Sequence, residues 1–214
     1  MHDAKLVIWG CGGMGREVLA LCEVLGRNVA GFLDEREKMR GQMVDGVPVL
    51  GDIQHIHAYR NEVEVICSGV GDPVLKRKFA RKTRDAGFRL AGPLVHPAVN
   101  IPRSSQVDDN SIVCAGSIVS INVNIGKFVI INTQVTLAHD VTIAEHCTIS
   151  PGVNISGNVT MEEGVFIGTG SAVREKVTIG AWSIIGGGAF VKDTVPANAL
   201  YAGVPAVFKK KIIR

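Results

Sequence analysis

Hydrophobic side chains in the second half of the chain fall on a six-residue beat. From Ile101 through Val107, Val113 and Val119 to Ile185 and Val191, all sixteen positions spaced by six are Ile, Leu, Val or Met. Four residues after each stands a second row, including Ser105, Ser111, Val123, Cys147 and Ser183, that is never large and never charged. Six is no multiple of 3.6, and Val and Ile stand where helices favour Leu and Ala, so helical repeats are excluded. One apolar and one small residue per hexapeptide fit a three-sided prism in which each hexapeptide supplies a short strand and its corner. Three hexapeptides make a coil of 18 residues, and sixteen make about five coils, about 25 Å tall at the spacing of stacked strands. The period does not fix the handedness.

The first ninety residues follow a different pattern. Lys5 to Trp9 predicts a strand, Gly10 to Gly15 a glycine loop, and Arg16 to Leu25 a helix with Val18, Leu21, Cys22 and Leu25 on one face. Asn28 to Leu33 and Val63 to Cys67 predict two further strands, and Asp72-Pro73 starts a helix that stops at Gly87. This alternation predicts a small parallel sheet flanked by helices. The spacing Gly10, Gly12, Gly15, with Asp34 ending the next strand, suits a phosphate at the helix N-terminus and a carboxylate that accepts from ribose or base. A turn that merely packs strand on helix is the plain alternative. So short a unit lacks the second half of a dinucleotide fold, which favours a mononucleotide over NAD.

Composition narrows the setting. Val (29), Ile (20) and Leu (11) carry most of the 46% hydrophobic content, and aromatics are 5%, which favours strands over disorder. A net charge of +3 is too small and mixed to imply nucleic acid or a membrane surface. The basic residues Lys76 to Arg84 wrap around their helix, which reads as a solvated face, with anion binding as the alternative. Five cysteines without C-x-x-C spacing read as reduced thiols. No apolar run reaches the length of a spanning helix, and Met1 to Lys5 lacks the order of a signal peptide, so a cytoplasmic location is expected.

Chemistry concentrates at one hexapeptide. Third positions of other repeats include the charged Arg103, Asp109, Lys127, Glu145, Glu163, Glu175 and Asp193, so this row points outward, which puts His139 on the prism surface beside Asp140. Counting by coils stacks Ile121, His139, Gly157 and Glu175 in one file, and Asn122, Asp140 and Asn158 in the next, about 4.8 Å apart. An imidazole, an orienting carboxylate and a bare backbone amide then converge on one point, a grouping suited to proton transfer and oxyanion stabilisation. An exposed histidine without a role is the alternative. Zinc is not expected at His146 and Cys147, since Cys147 lies in the inward row and no third histidine is near. Neither Ser150 nor Ser171 has a nucleophile-elbow context.

The segments KLVIWGCGGMGREV, GFLDE, NTQVTLAHDVTI, ISPGVNISGNV and VKDTVPANALYAGVPA, together with the array, resemble the bacterial nucleotide-aminosugar N-acetyltransferases of the left-handed β-helix superfamily, with sialic-acid O-acetyltransferases as close relatives. The resemblance spans nearly the whole chain. It implies a Rossmann-like nucleotide-sugar domain over residues 1–92, a left-handed parallel β-helix over 93–214, a homotrimer, and acetyl-CoA bound between adjacent prisms without a metal. It further implies His139 as general base, Asp140 as its orienter and Gly157 as the amide facing the thioester oxygen. Nucleotide-sugar contacts are implied at Gly12, Gly13, Met14, Asp34, Glu35 and Gly69, and acetyl-CoA contacts at Gly157, Thr169, Gly187 and Pro205. Two positions depart from many relatives: Met14 and Thr148 stand where they carry histidines. The expected reaction is direct transfer of acetyl to the 4-amino group of a nucleotide-linked sugar, with O-acetylation of sialic acid or another sugar as the nearest rival. A nonenzymatic nucleotide-sensing scaffold is the rival from another class. The lysines 209 to 211 are expected to fray, with the CoA phosphates as their alternative partner.

Overall fold

The computed structural model describes residues 4–213, so Met1 to Asp3 of the N-terminal stretch read above lie outside the described residues. The chain opens with β1 (Lys5–Trp9), α1 (Gly13–Val24) and β2 (Val29–Leu33), then β3 (Met43–Val44), β4 (Val47–Gly51), β5 (Val63–Ile66), α2 (Pro73–Asp85) and β6 (Arg89–Leu90). The sheet order is β3-β4-β2-β1-β5-β6, parallel except for the β3-β4 hairpin. The helices α1 and α2 begin and end within a few residues of the spacing read from sequence, α1 three residues earlier. Asp72 caps α2 by accepting from the amides of Val74 and Leu75.

From Gln106 to Val191 the chain is a left-handed parallel β-helix of two-residue strands. Each strand pairs with those one coil away: Thr136 with Ile118 and Asn154, Thr148 with Ile130 and Phe166. The apolar row of the hexapeptide fills the prism, with Ile131, Ile149, Met161 and Ile167 fully buried, and the second row closes the corners. Each fully buried Ile or Val contributes about 1.5–3 kcal/mol. Small serines serve the corners because their hydroxyls bond the backbone: Ser111 Oγ donates to Gly126 O at 2.6 Å and accepts from Val129 N at 3.0 Å.

The turn itself is made by the fourth residue of the hexapeptide. From Asn110 to Gly188 every sixth residue has positive φ, and the set includes Asn122, Asp140, Asn158 and, against ordinary preference, Phe128, His146, Lys176 and Trp182. This left-handed residue aims the one before it, the third position, away from the core.

The three walls differ. The outward residues of one wall, Ile112, Ile130 and Thr148, are buried because the α/β domain lies on it. On the other two walls the outward residues at the same level, such as Ile118, Asn124, Thr142 and Asn154, are exposed. The covered wall is extended at one end by β7 (Leu94–Val95) and at the other by the strands Ala199–Ala202 and Val207–Lys211. The lysines at 209 to 211, expected to fray, thus belong to an antiparallel strand. Among the described residues no helix is long and apolar enough to cross a membrane.

Two polar residues fasten the domain to its wall. Asn110 Oδ1 accepts from Cys67 N, and its Nδ2 donates to Val65 O at 2.7 Å and Ala91 O at 3.2 Å. Lys76, read from sequence as part of a solvated face, is fully buried and donates from Nζ to Cys147 O and Thr148 Oγ1, both at 2.7 Å. Thr148 passes its own proton to Gly71 O at 2.7 Å. Burial pushes the Lys76 ammonium down to about 7, with Cys147 and Asp72 opposing. Between that value and the ordinary 10.5, the unfolded chain binds more protons than the folded one, so stability rises with pH. The urea midpoint is therefore expected to increase from about pH 7 to about pH 8.5, and Lys76→Met to flatten this rise, since an apolar chain of similar volume removes the buried charge. A flat wild-type profile would contradict the assignment.

Candidate functional site

The vertical file read from sequence is present. His139 lies directly over Gly157: a Cβ built on the glycine would sit 2.5 Å from His139 Cε1 and 2.6 Å from Nε2. Only a residue without a side chain leaves room for the imidazole to rest there. Gly157 is itself buried under the ring rather than open to solvent. Its carbonyl accepts from Lys176 N and its neighbours' amides are spent on Val173 O and His139 O, but its own N–H meets no acceptor among the described residues.

Asp140, in the left-handed corner, turns back so that Oδ2 meets His139 Nδ1 at 2.7 Å. Its other oxygen accepts from Asn122 Nδ2 at 3.0 Å, one coil away, and Asn122 N donates to Ser104 Oγ at 3.2 Å. The hydrogen bonds from His139 and Asn122 hold the Asp140 carboxyl below its usual range. An ionised carboxylate only accepts, so Nδ1 carries the proton, and in the neutral ring the lone pair is on Nε2. The dyad is half-exposed, at 55% for His139 and 43% for Asp140, on the corner between the two uncovered walls. Such an arrangement can take a proton from a bound amine or hydroxyl and offer an amide to a developing oxyanion.

The glycine loop forms a second candidate site. Gly15 approaches so closely that a Cβ would sit 1.9 Å from Gly10 O, whereas Gly12 and Gly13 face open space. The first-turn amides of α1 have no capping side chain, which leaves them for an anion. Beside them lies a cavity of about 280 Å³ lined by Gly10, Gly12, Leu33, Asp34, Glu35, Arg36, Val70, Leu75 and Phe79. Gly12, Asp34 and Glu35 thus gather as expected, with Gly13 adjoining. Met14 instead packs into the domain core, and Gly69 is buried where a Cβ would meet Trp9 O at 2.2 Å, behind the cavity lining.

Asp34 is engaged before any ligand arrives. Oδ1 accepts from Arg36 N at 3.0 Å and Nε at 2.8 Å, while Oδ2 accepts from Arg36 Nη2 at 2.7 Å and Cys11 Sγ at 3.1 Å. The Arg36 hydrogen bonds hold its carboxyl far below the carboxylate range against the opposing effect of burial. Arg36 was not singled out by the sequence reading; its position two residues after the strand-end acid was the available signal.

Of the remaining residues singled out, Thr169 and Gly187 are exposed and stack one coil apart on the corner that α1 overlies, the same file as Ala115 and Thr133. Pro205 is exposed in the turn before Val207–Lys211. Thr148 is buried under α2 and closed to a ligand. His146 stacks on Phe128 at 4.8 Å, and burial pushes it down to about 4; among the described residues no three His, Cys, Asp or Glu side chains cluster for a metal. The basic α2 face is largely self-satisfied, with Lys78 and Lys82 on Glu35 and Arg77 over Trp182.

Sequence profiles of the PglD N-terminal domain and of the bacterial transferase hexapeptide match residues 5–83 and 158–193. No curated protein matches the chain. Among solved structures, PerB from Caulobacter crescentus in complex with CoA and GDP-perosamine is similar at 33% identity over 96% of this chain and 97% of that one, with a TM-score of 0.88. The acetyltransferase domain of PglB from Neisseria gonorrhoeae, in complex with acetyl coenzyme A, is 30% identical over 96% of this chain and 99% of that one, at a TM-score of 0.86. WeeI from Acinetobacter baumannii, 24% identical over 96% and 99% of the two chains at a TM-score of 0.81, shares the fold. A glycine-loop domain joined to a hexapeptide prism, and a full-length likeness above 30% identity, make this chain a member of the nucleotide-aminosugar N-acetyltransferase family of the hexapeptide-repeat acyltransferases.

Proposed function

We propose that the protein transfers acetyl from acetyl-CoA to the 4-amino group of a nucleotide-linked amino-deoxy sugar, with His139 as general base. The observation that carries this reading is the half-exposed imidazole lying on Gly157 with Nδ1 held by Asp140, which leaves Nε2 as the ring nitrogen available to a substrate. The amine attacks the thioester carbon, the C–N bond forms, Nε2 takes the amine proton, and the C–S bond breaks to release CoA thiolate. The amide of Gly157 faces the oxyanion. An imidazole is matched to this proton transfer near neutrality.

In the proposal residues 1–92 hold the nucleotide sugar, through the glycine loop and the cavity beside Asp34 and Glu35, and residues 93–214 hold acetyl-CoA, with Thr169, Gly187 and Pro205 as contacts. Support for a homotrimer comes from the walls. The nucleotide domain covers one wall, while His139 stands on the opposite corner, and in the proposal a sugar bound to one chain meets the imidazole of another. Closed threefold packing of three-sided prisms brings such corners together.

Turnover is measured as CoA release with 4-amino sugars linked to different nucleotides. His139→Ala is expected to lose about 100- to 10,000-fold in rate, and Asp140→Asn less; activity within a few-fold of wild type removes His139 from the mechanism. The product should survive mild alkali as an amide, and a labile ester would favour O-acetylation. Gly157→Ala displaces the ring and should cost about 100-fold with little change in melting temperature, since the clash falls on an exposed side chain. Mixing His139→Ala chains with Gly13→Asp chains, each inactive alone, should restore about a quarter of wild-type activity by random assembly. No restoration would place each complete site within one chain.

A further inference from the structure

Resting on the reading of the glycine-loop cavity as the nucleotide-sugar site, we infer that Arg36 reads the base of the nucleotide, and that the base it selects is a 6-oxopurine, guanine or hypoxanthine. A carboxylate at the end of β2 would ordinarily accept from the ribose. Here the four hydrogen bonds from Arg36 and Cys11 occupy the lone-pair positions of Asp34, so the acid acts as a clamp for the guanidinium. Arg36 is held through Nε and Nη2, with Cys11 Sγ a further 3.5 Å from Nη2, and its Nη1 meets no acceptor among the described residues. A guanidinium pinned through Nε and Nη2 at the edge of a cavity, with both hydrogens of Nη1 unspent, is a preorganised donor.

Charge decides what that pair prefers. Paired with Asp34, the guanidinium belongs to a couple of zero net charge, which weakens its pull on a dianionic phosphate, and the uncapped first turn of α1 is already placed for phosphates. Uncharged acceptors suit it better. A guanine presents O6 and N7 side by side, so that both hydrogens of Nη1 find an acceptor on one base edge. Uracil and thymine present one carbonyl beside a C–H or methyl, and adenine opposes a donor with a donor. Val70, Leu75 and Phe79 give the cavity apolar wall for the ring faces.

Titration calorimetry of the full chain with GDP, IDP, UDP, dTDP and ADP tests the assignment. GDP and IDP should bind alike and about 5- to 150-fold more tightly than UDP or dTDP, the range of a good bidentate base contact, with ADP weakest. Arg36→Ala should lower GDP to the level of UDP and leave UDP nearly unchanged, and Arg36→Lys, which keeps charge but not the fork, should fail to restore the preference. UDP or dTDP binding wild type as tightly as GDP overturns the inference, as does an absence of binding by all five. An equal weakening of all five in Arg36→Ala also overturns it, by putting the guanidinium on the diphosphate. The wild-type ranking decides even if the variants do not fold. Guanine selectivity without acetyl transfer sinks the proposed activity alone, whereas equal transfer to GDP- and UDP-linked sugars sinks this inference alone.

Discussion

The positive φ at every fourth hexapeptide position governs what the molecule can do. It bends the chain through a prism corner, and in doing so it throws the preceding residue outward regardless of that residue's polarity. At several corners, such as Asp109, Glu145 and Glu175, this exposes a charged side chain of no consequence. At one corner it exposes His139, and the same backbone twist swings the Asp140 carboxylate back onto the imidazole. The ladder of interstrand hydrogen bonds then fixes which residues of the next coil lie alongside: Gly157 on one side and Asn122 on the other, one supplying empty space and the other a donor. The local geometry of the dyad is therefore backbone geometry, inherited from a scaffold whose rigidity comes from its apolar filling.

Attachment of the α/β domain gives the prism direction. A bare three-walled column has equivalent faces, but burial of Ile112, Ile130 and Thr148 beneath the domain makes one wall internal. That seam is polar at its fastening points. Lys76 and Asn110 spend their hydrogen bonds on backbone carbonyls and amides that would otherwise be stranded between the two units. Such bonds fix orientation better than apolar contact alone, because each demands one partner at one angle.

Much of this was legible in the residues. The six-residue beat gave the prism, and counting by coils placed His139 against Gly157 before any coordinates. The corner residues escaped notice because Phe128, His146, Lys176 and Trp182 share no chemical character, only a backbone conformation. β3 and β4 were missed because one has two residues and the other contains Pro48, so neither shows a strand period. Lys76 read as solvated because nothing in a helix sequence announces a wall of another unit above it. Asp34 was found, but a sequence position does not report that its lone pairs are occupied; that fact belongs to Arg36 and Cys11 arriving from two sides.

Because facing is decided by the residue count around an eighteen-residue coil, the prism behaves as though it had a reading frame. Gain or loss of a single residue between Asn110 and His139 would shift every later side chain along the perimeter, burying charges and stranding apolar groups. A whole coil could be added or removed without such a shift, and it would slide the histidine along the column while leaving it on the same edge. Length variation in this architecture is thus quantised, and each quantum changes the distance between the two chemical centres by one strand spacing, about 4.8 Å.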